Sequence, residues 1–307
     1  MANSENKLHP VIEGYINHVS NTYDLLAAQP EPREPVVEAM LAMQAAINGE
    51  RDVHEAYAIA ESTADEKCDP DLYALFLRVW IDVACKCERG EDALVILRRA
   101  QALVSEETPA VISASLMLRE GTMHGAMGNK TAREECQKHA LAMLDPETPR
   151  RRMFVLTRIM FLSQMGRGAE VQDEIAWLRT RVDKVFAPGF IDMLLFLNCV
   201  ETGRAREAQS HLKAVLADPR VRGHLSVGEL PKWRVVCALM LDRWEEAKRE
   251  LPSWNCFEPA EVTHAWAGAT DCLLKGDHAS ALRLARRSIE IDSNHMMHVG
   301  FPSYTLI

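Results

Sequence analysis

The sequence predicts an all-α fold, in which about seven helix-turn-helix units stack into an α-solenoid behind an N-terminal capping helix. Alanine, leucine and methionine are abundant whereas aromatic residues make up only 6 % of the chain, a composition that favours helices. Runs of β-branched and aromatic residues bounded by turns, which indicate strands, are absent. Two series of regularly spaced residues, prolines and small side chains, indicate the repeat.

The prolines mark the expected start of the first helix, helix A, of each unit. They recur about 37 residues apart on average, and each lies at or near the start of an apolar-periodic segment. Proline suits a first helical turn because its missing N–H has no partner there. The series is Pro35, Pro70, Pro109, Pro149, Pro188, Pro231 and Pro259. Asp69, Thr108 and Thr148 each precede one of these prolines and are predicted N-caps.

A small residue marks the second helix, helix B, of each unit. These residues recur 34 to 39 residues apart, and a short side chain there allows helix B to approach helix A closely. The series is Ala56, Ala93, Ala132, Val171, Ala208, Ala247 and Ala281. Between the two helices a turn is expected, in most units at a glycine, which accepts the left-handed conformation that ends a helix. A single hairpin cannot bury its apolar face, so neighbouring hairpins are expected to stack.

The two ends of the chain differ from the repeats. Residues 1–33 are predicted to form an N-terminal extension, with a capping helix over residues 7–28 that covers the first repeat. The repeats span residues 34–292, and residues 293–307 form a C-terminal tail. No capping helix is evident after the last repeat, so its exposed face is expected to be covered by the tail, by a second copy in a homodimer, or by sequence that is not part of this chain.

Charge and hydropathy exclude some classes of partner. The formal net charge is −9, which disfavours binding to a phosphate backbone, so no nucleic acid is expected. No apolar stretch is long enough for a membrane span, and the N-terminus lacks a basic segment followed by an apolar one. A cytoplasmic protein is therefore expected, with its eight cysteines as reduced thiols.

The stretch from Cys272 to Asn294 resembles the second half of a tetratricopeptide repeat, with Gly276, Ala281 and Ser288 at family-like positions. Shorter stretches that contain Ala208 and Ala247 are similar to it. The spacing is mostly 37 to 39 residues, longer than in the family, and the helix-A glycine is mostly missing, so the repeats are degenerate. The resemblance implies a right-handed solenoid, an adaptor or chaperone role, and a concave groove lined by the A helices.

The groove positions of the family, counted back from the small-residue series, give the candidate partner-binding residues. They are Arg78, Asp82, Met117, His124, Met160, Met193, Lys232, Trp266 and Thr270. The middle of this set is rich in methionine, whose flexible side chain suits an adaptable apolar groove. The alternative is that several of these side chains pack against neighbouring repeats.

Three consecutive arginines form a second candidate site. Arg150, Arg151 and Arg152 begin a predicted helix A, where positive charge is disfavoured because the helix N-terminus already carries partial positive charge. This conflict is consistent with a patch that binds an acidic partner segment. The alternative is an ordinary solvated face.

Neither a metal site nor a catalytic site is expected, and no cofactor is implied. Cys85 and Cys87 lie two residues apart, so they point to different faces of a helix, and no second cysteine pair completes a set of four ligands. His295 and His298 can share one helical face but have no further ligand nearby in the sequence. The sequence contains no nucleophile elbow, phosphate-binding loop or metalloprotease motif.

Three functions follow from these patterns. The leading hypothesis is a non-catalytic interaction scaffold, adaptor or chaperone-like subunit that binds a segment of a protein or peptide partner in the concave groove. The alternative is a ligand- or peptide-sensing module of a transcriptional or signalling regulator. An enzyme built on helical pairs is disfavoured, because it needs convergent acids, bases or metal ligands and the sequence clusters none.

Overall fold

The computed structural model describes residues 8–17, 22–47, 50–64, 67–87, 89–182, 188–222, 229–255 and 261–294. These residues form α-helices joined by turns and loops, and no strand occurs among them. The all-α prediction is therefore confirmed. In chain order the helices are α1 (Pro10–Asn17), α2 (Thr22–Ala27), α3 (Pro35–Ile47), α4 (Val53–Thr63), α5 (Pro70–Lys86), α6 (Gly90–Leu103), α7 (Ala110–Ala126), α8 (Lys130–Ala142), α9 (Arg151–Gln164), α10 (Gly168–Arg179), α11 (Pro188–Glu201), α12 (Ala205–Ala217), α13 (Pro219–Arg222), α14 (Glu229–Met240), α15 (Trp244–Asn255), α16 (Glu261–Leu274) and α17 (His278–Asn294).

The chain divides into two compact units, Met1–Phe154 and Val155–Ile307, which we call the N-terminal and C-terminal units. In the N-terminal unit the hairpins α3–α4, α5–α6 and α7–α8 pack internally, and α5 also contacts both α3 and α7. In the C-terminal unit the hairpins α11–α12, α14–α15 and α16–α17 pack internally, and α15 also contacts α16. Each unit is thus built from helical hairpins that pack on their neighbours.

The helix starts follow the proline series closely but not at every position. α3, α5 and α11 begin at Pro35, Pro70 and Pro188. The carboxylate of Asp69 accepts hydrogen bonds from the first backbone N–H groups of α5, which confirms that N-cap. The Thr108 prediction is wrong because Pro109 occupies the N-cap position of α7, and the Thr108 hydroxyl accepts instead from the N–H of Ser105 at 3.1 Å.

The remaining prolines show offsets from the helix starts. α9 begins at Arg151, two residues after Pro149 and three after Thr148, so Thr148 does not directly precede the helix. α14 begins at Glu229, two residues before Pro231. The seventh proline, at position 259, lies outside the described residues.

The small-residue series is buried, with one exception. Ala56, Ala93, Val171, Ala208, Ala247 and Ala281 are buried, whereas Ala132 is half-buried. In the α7–α8 hairpin the close approach comes from helix A instead. A Cβ atom on Gly121 would lie 2.9 Å from the Cβ of Cys136, a distance too short for two carbon atoms. Glycine at that position of helix A therefore allows a close approach in this hairpin.

In five of the turns, helix A is followed by a residue in the left-handed conformation. This residue is glycine in four turns and aspartate in the fifth. Gly128, Gly166, Gly203 and Gly276 have φ between 69° and 79°. The fifth turn has Asp242 with φ 55°, a conformation that costs an L-residue free energy because of its Cβ. The turn at residues 48–49 lies outside the described residues.

The N-terminal segment differs from the single capping helix that the sequence predicts. It forms two helices, of which α2 packs against α3 while α1 packs against α2 and against α5, the A helix of the second hairpin. Val11, Ile12 and Tyr15 of α1 are wholly buried. The predicted cover of the first hairpin is thus divided between two helices, and α1 also buries apolar side chains against the second hairpin.

Candidate functional site

The contacts of Tyr15 define the candidate site. The phenol oxygen of Tyr15 lies 3.0 Å from Ser115 Oγ on α7, a hydrogen bond in which either hydroxyl can donate. The guanidinium of Arg150 lies over the Tyr15 ring, 4.1 Å from its centroid, in cation–π geometry. We call the group formed by Tyr15, Arg78, Asp82, Ser115, Arg119 and Arg150 the Tyr15 cluster. All of its members belong to the N-terminal unit.

A carboxylate shared by two arginines lies in this cluster. Arg119 donates a hydrogen bond to Asp82 Oδ2 at 2.8 Å, and Arg78 Nη1 lies 3.2 Å from the same oxygen. The Asp82 side chain is only 6 % exposed. In the described part of the chain, Arg78 Nε and Asp82 Oδ1 are buried without a hydrogen-bond partner. The pair of arginines thus has one positive charge more than Asp82 neutralises, and its hydrogen bonding is incomplete.

The pKa shifts reflect this excess of positive charge. Burial by itself raises the pKa of Tyr15, but the guanidinium groups of Arg150 and Arg78 and the bond to Ser115 outweigh it and lower the pKa to about 8. Burial and the neighbouring charge of Arg78 lower the pKa of Arg119. The surroundings of the Tyr15 oxygen therefore favour an anion at that place.

Two neighbouring A helices position the cluster. Arg78 and Asp82 are four residues apart on α5, and Ser115 and Arg119 are four residues apart on α7, so each pair shares one helical face. Asp82 and Arg119 are 37 residues apart, two fewer than the 39 residues that separate the proline and small-residue markers of these two hairpins. Residues about one period apart lie close together on adjacent A helices, and a spacing near one period is the signal by which Arg119 can be found from the sequence.

The predicted groove residues of the N-terminal unit differ in their burial and in their contacts. Arg78 and Asp82 belong to the Tyr15 cluster, where Asp82 is buried and offers no surface. Met117 and His124 are half-buried on α7. Sequence reasoning missed Arg119, Ser115 and Tyr15.

The groove residues predicted in the C-terminal unit also differ in exposure. Met160, Met193 and Lys232 are half-buried on α9, α11 and α14. Thr270 is fully buried in α16 and therefore does not line a surface, contrary to its predicted place. Trp266 lies in α16, and its side chain is outside the described residues.

The predicted arginine patch is engaged within the chain. Arg150 stacks on Tyr15, as described above. Arg151 donates hydrogen bonds to the backbone oxygens of Leu141, at 2.6 Å, in the last turn of α8, and of Leu144, just after that helix. Arg152 is half-buried and has further interactions within the chain. The structure thus joins Arg150 of this patch with Arg78 and Asp82 of the predicted groove around one tyrosine.

The two closely spaced cysteines of α5 and its C-terminal end are inaccessible. Cys85 and Cys87 are buried free thiols, and burial raises their pKa values to about 12 and about 11 respectively. Such thiols are poor nucleophiles and poor ligands at neutral pH. Among the residues that the structure describes, no three histidine, cysteine or acidic side chains converge as a metal site would require. The pair at positions 295 and 298 lies outside the described residues.

No protein-family model matches this sequence, and no curated protein shows significant similarity to it. Among the described helices, none combines the length and the apolar character needed to cross a membrane. The geometry of the Tyr15 cluster and of α1 is therefore the observation from which a function can be inferred.

Proposed function

We propose that this chain is a tetratricopeptide-like helical repeat protein, a right-handed α-solenoid of about seven degenerate repeats that acts in the cytoplasm. Its role is that of a non-catalytic adaptor, scaffold or chaperone-like subunit, which binds a helical segment of a partner along its A helices. The observation that supports this role is the position of α1, which packs against α5 and reaches α7 through Tyr15.

The contacts of α1 indicate how a partner helix would bind. Val11, Ile12 and Tyr15 are wholly buried, and burial of side chains of this size contributes about 1.5–3 kcal/mol each. A helix of 8 residues is not stable alone in water, so the surface supplies the free energy that orders it. A surface that orders one amphipathic helix in this way can bind another by the same means.

The chemistry of the cluster supports binding rather than catalysis. Arginine side chains stay protonated and do not exchange protons with a substrate at neutral pH. Asp82 is held by two of them, and Tyr15 is 1 % exposed, so neither is accessible as a general acid or base. These groups can hold a ligand by charge and hydrogen bonds.

The test is affinity capture with the full chain as bait, quantified by mass spectrometry. We expect a stoichiometric protein partner with the wild-type chain and at least tenfold less of it with Arg119→Gln, which removes a charge from the A-helix face. Arg98→Gln is the matched control, because Arg98 is exposed on α6, a B helix of the same unit. Equal capture by all three chains, or recovery of a small metabolite alone, would contradict the proposal.

A further inference from the structure

We propose that α1 is an internal ligand of the face formed by α5 and α7, and that the partner that displaces it is an amphipathic helix with a carboxylate at the place of Tyr15. This inference rests on the proposed function and adds the chemistry of the partner. It concerns the N-terminal unit alone.

The charge of the face is the first reason. Asp82 is the one carboxylate that is ion-paired with Arg78 or Arg119 in the described residues, and it balances only one of them. The Tyr15 phenol brings no charge at neutral pH, even though its pKa is lowered to about 8. A carboxylate at the same place carries the missing negative charge at neutral pH, since its ordinary pKa is near 4.

The hydrogen bonds of the face are the second reason. Arg78 Nε is a buried donor without an acceptor. The Tyr15 hydroxyl is hydrogen-bonded to Ser115 and does not satisfy that donor. A carboxylate has two acceptor oxygens, so it can accept from Ser115 and from a guanidinium at the same time. A helix with an acidic anchor therefore fits these groups better than α1 does.

The size of α1 is the third reason. It has 8 residues and is anchored on this face by Val11, Ile12 and Tyr15. Because α1 belongs to the same chain, it competes at a high effective concentration, in the millimolar range for short connections. A partner must bind the open face tightly to displace it. α1 thereby acts as a specificity filter, which excludes apolar helices that lack the acidic anchor.

The probes for the test are three synthetic peptides that span residues 8–27 with tyrosine, glutamate or glutamine at position 15. Each is titrated by fluorescence anisotropy into the full wild-type chain and into the full chain with Ile12→Asp. That substitution loosens α1, because Ile12 is wholly buried, and it changes no residue of α5 or α7. Circular dichroism checks that the variant is folded, and Tyr15→Ala replaces it if it is not.

We expect the glutamate peptide to bind the opened chain about tenfold more tightly than the glutamine peptide, as a charge-assisted hydrogen bond implies. We also expect every peptide to bind the wild-type chain at least tenfold more weakly than the opened chain. Adding Arg119→Gln to the opened chain should abolish the preference for glutamate, whereas adding Arg98→Gln should leave it unchanged.

The inference would be overturned by equal affinity of the glutamate and glutamine peptides for the opened chain, or by equal binding to the wild-type and opened chains. A dimer of the opened chain that the tyrosine peptide dissociates would also overturn it, because the occupant would then be α1 of a second copy. If the peptides fail while affinity capture recovers an Arg119-dependent partner, the proposed function stands and this inference is wrong. If both fail, the proposed function is wrong as well.

Discussion

In each of the two units, a buried polar side chain links neighbouring A helices, but the chemistry of the link differs. In the N-terminal unit Asp82 of α5 meets Arg119 of α7, 37 residues away. In the C-terminal unit Asn198 of α11 donates to Ser163 of α9, 35 residues away, at 3.4 Å. Both Asp82 and Asn198 are buried. The difference shows that neighbouring A helices in this chain can be linked by either an ionic or a neutral contact.

The consequence of this difference is a charge excess in one unit. Asp82 has two guanidinium partners, whereas Asn198 is neutral and accepts one bond from Arg204 at 2.6 Å. The excess charge near Asp82 favours an anion, and Tyr15 of α1 lies there with a lowered pKa. We infer that the ionic link makes the face of the N-terminal unit a binding surface, whereas the neutral link of the C-terminal unit serves stability alone.

The largest effect is expected from Asp82→Ala. This substitution leaves Arg78 and Arg119 buried without their carboxylate, so we expect the free energy of unfolding to fall by about 3–5 kcal/mol. Asn198→Ala is the matched change in the C-terminal unit and should cost only about 1–2 kcal/mol. Urea denaturation measures both, and native-state hydrogen exchange locates each loss in its own unit. Equal losses would mean that the two links do not differ in energy.

The second effect concerns pH and Tyr15. The pKa of Tyr15 is lowered to about 8 in the folded chain, so between about pH 8 and 10 the unfolded chain holds a proton that the folded chain has released. Stability from this group is therefore complete above about pH 10 and is lost as the pH falls through 8. As the pH rises from 8 to 10, we expect the free energy of unfolding of the wild-type chain, relative to that of Tyr15→Phe, to rise by roughly 2–3 kcal/mol.

A tyrosine with the opposite shift is the control for this measurement. Burial and the carboxylate of Asp92 raise the pKa of Tyr57, despite the opposing influence of Arg89. Tyr57→Phe should therefore show no such growth between pH 8 and 10. Tyrosinate absorbance gives an independent reading, and a Tyr15 midpoint near 10 would contradict the electrostatic role of the arginines.

The third effect tests what the two units share. Ala93 and Ala208 are wholly buried between paired helices, one in each unit. Substitution of either by leucine overpacks the hairpin and should lower the free energy of unfolding by about 1–3 kcal/mol. Ala132→Leu should cost less, because Ala132 is half-buried and Gly121 provides the close approach in that hairpin. Thermal or urea unfolding of the three variants decides whether the small-residue series has one role throughout.

The smallest effect lies in one turn of the C-terminal unit. Asp242 has φ 55°, where other turns have glycine, so Asp242→Gly should raise the free energy of unfolding by about 0.5–1 kcal/mol. The reciprocal change, Gly203→Asp, should lower it by a similar amount because Gly203 has φ 70°. Differential scanning calorimetry measures both shifts. A change of the same sign in the free energy of unfolding of the two variants would contradict the role of the left-handed conformation.

The sequence was a good guide to the hairpins and a partial guide to the site. The N-cap Asp69 and the turn glycine Gly276 were recognised because each acts on residues next to it in the chain. The resemblance to tetratricopeptide repeats indicates Arg78 and Asp82 as groove positions of helix A. Arg119 was missed because its importance depends on which residue faces it on the neighbouring helix, although the 37-residue spacing is a usable signal.

The residue pattern was sufficient for the helices and their turns, since caps, prolines, glycines and apolar spacing act within a few residues of one another. The place of α1 was decided by tertiary packing alone. Tyr15 is 100 residues from Ser115, and nothing local to an 8-residue amphipathic helix specifies which distant apolar face it will cover. That choice depends on shape and charge complementarity between distant segments, which exists only once the chain has folded.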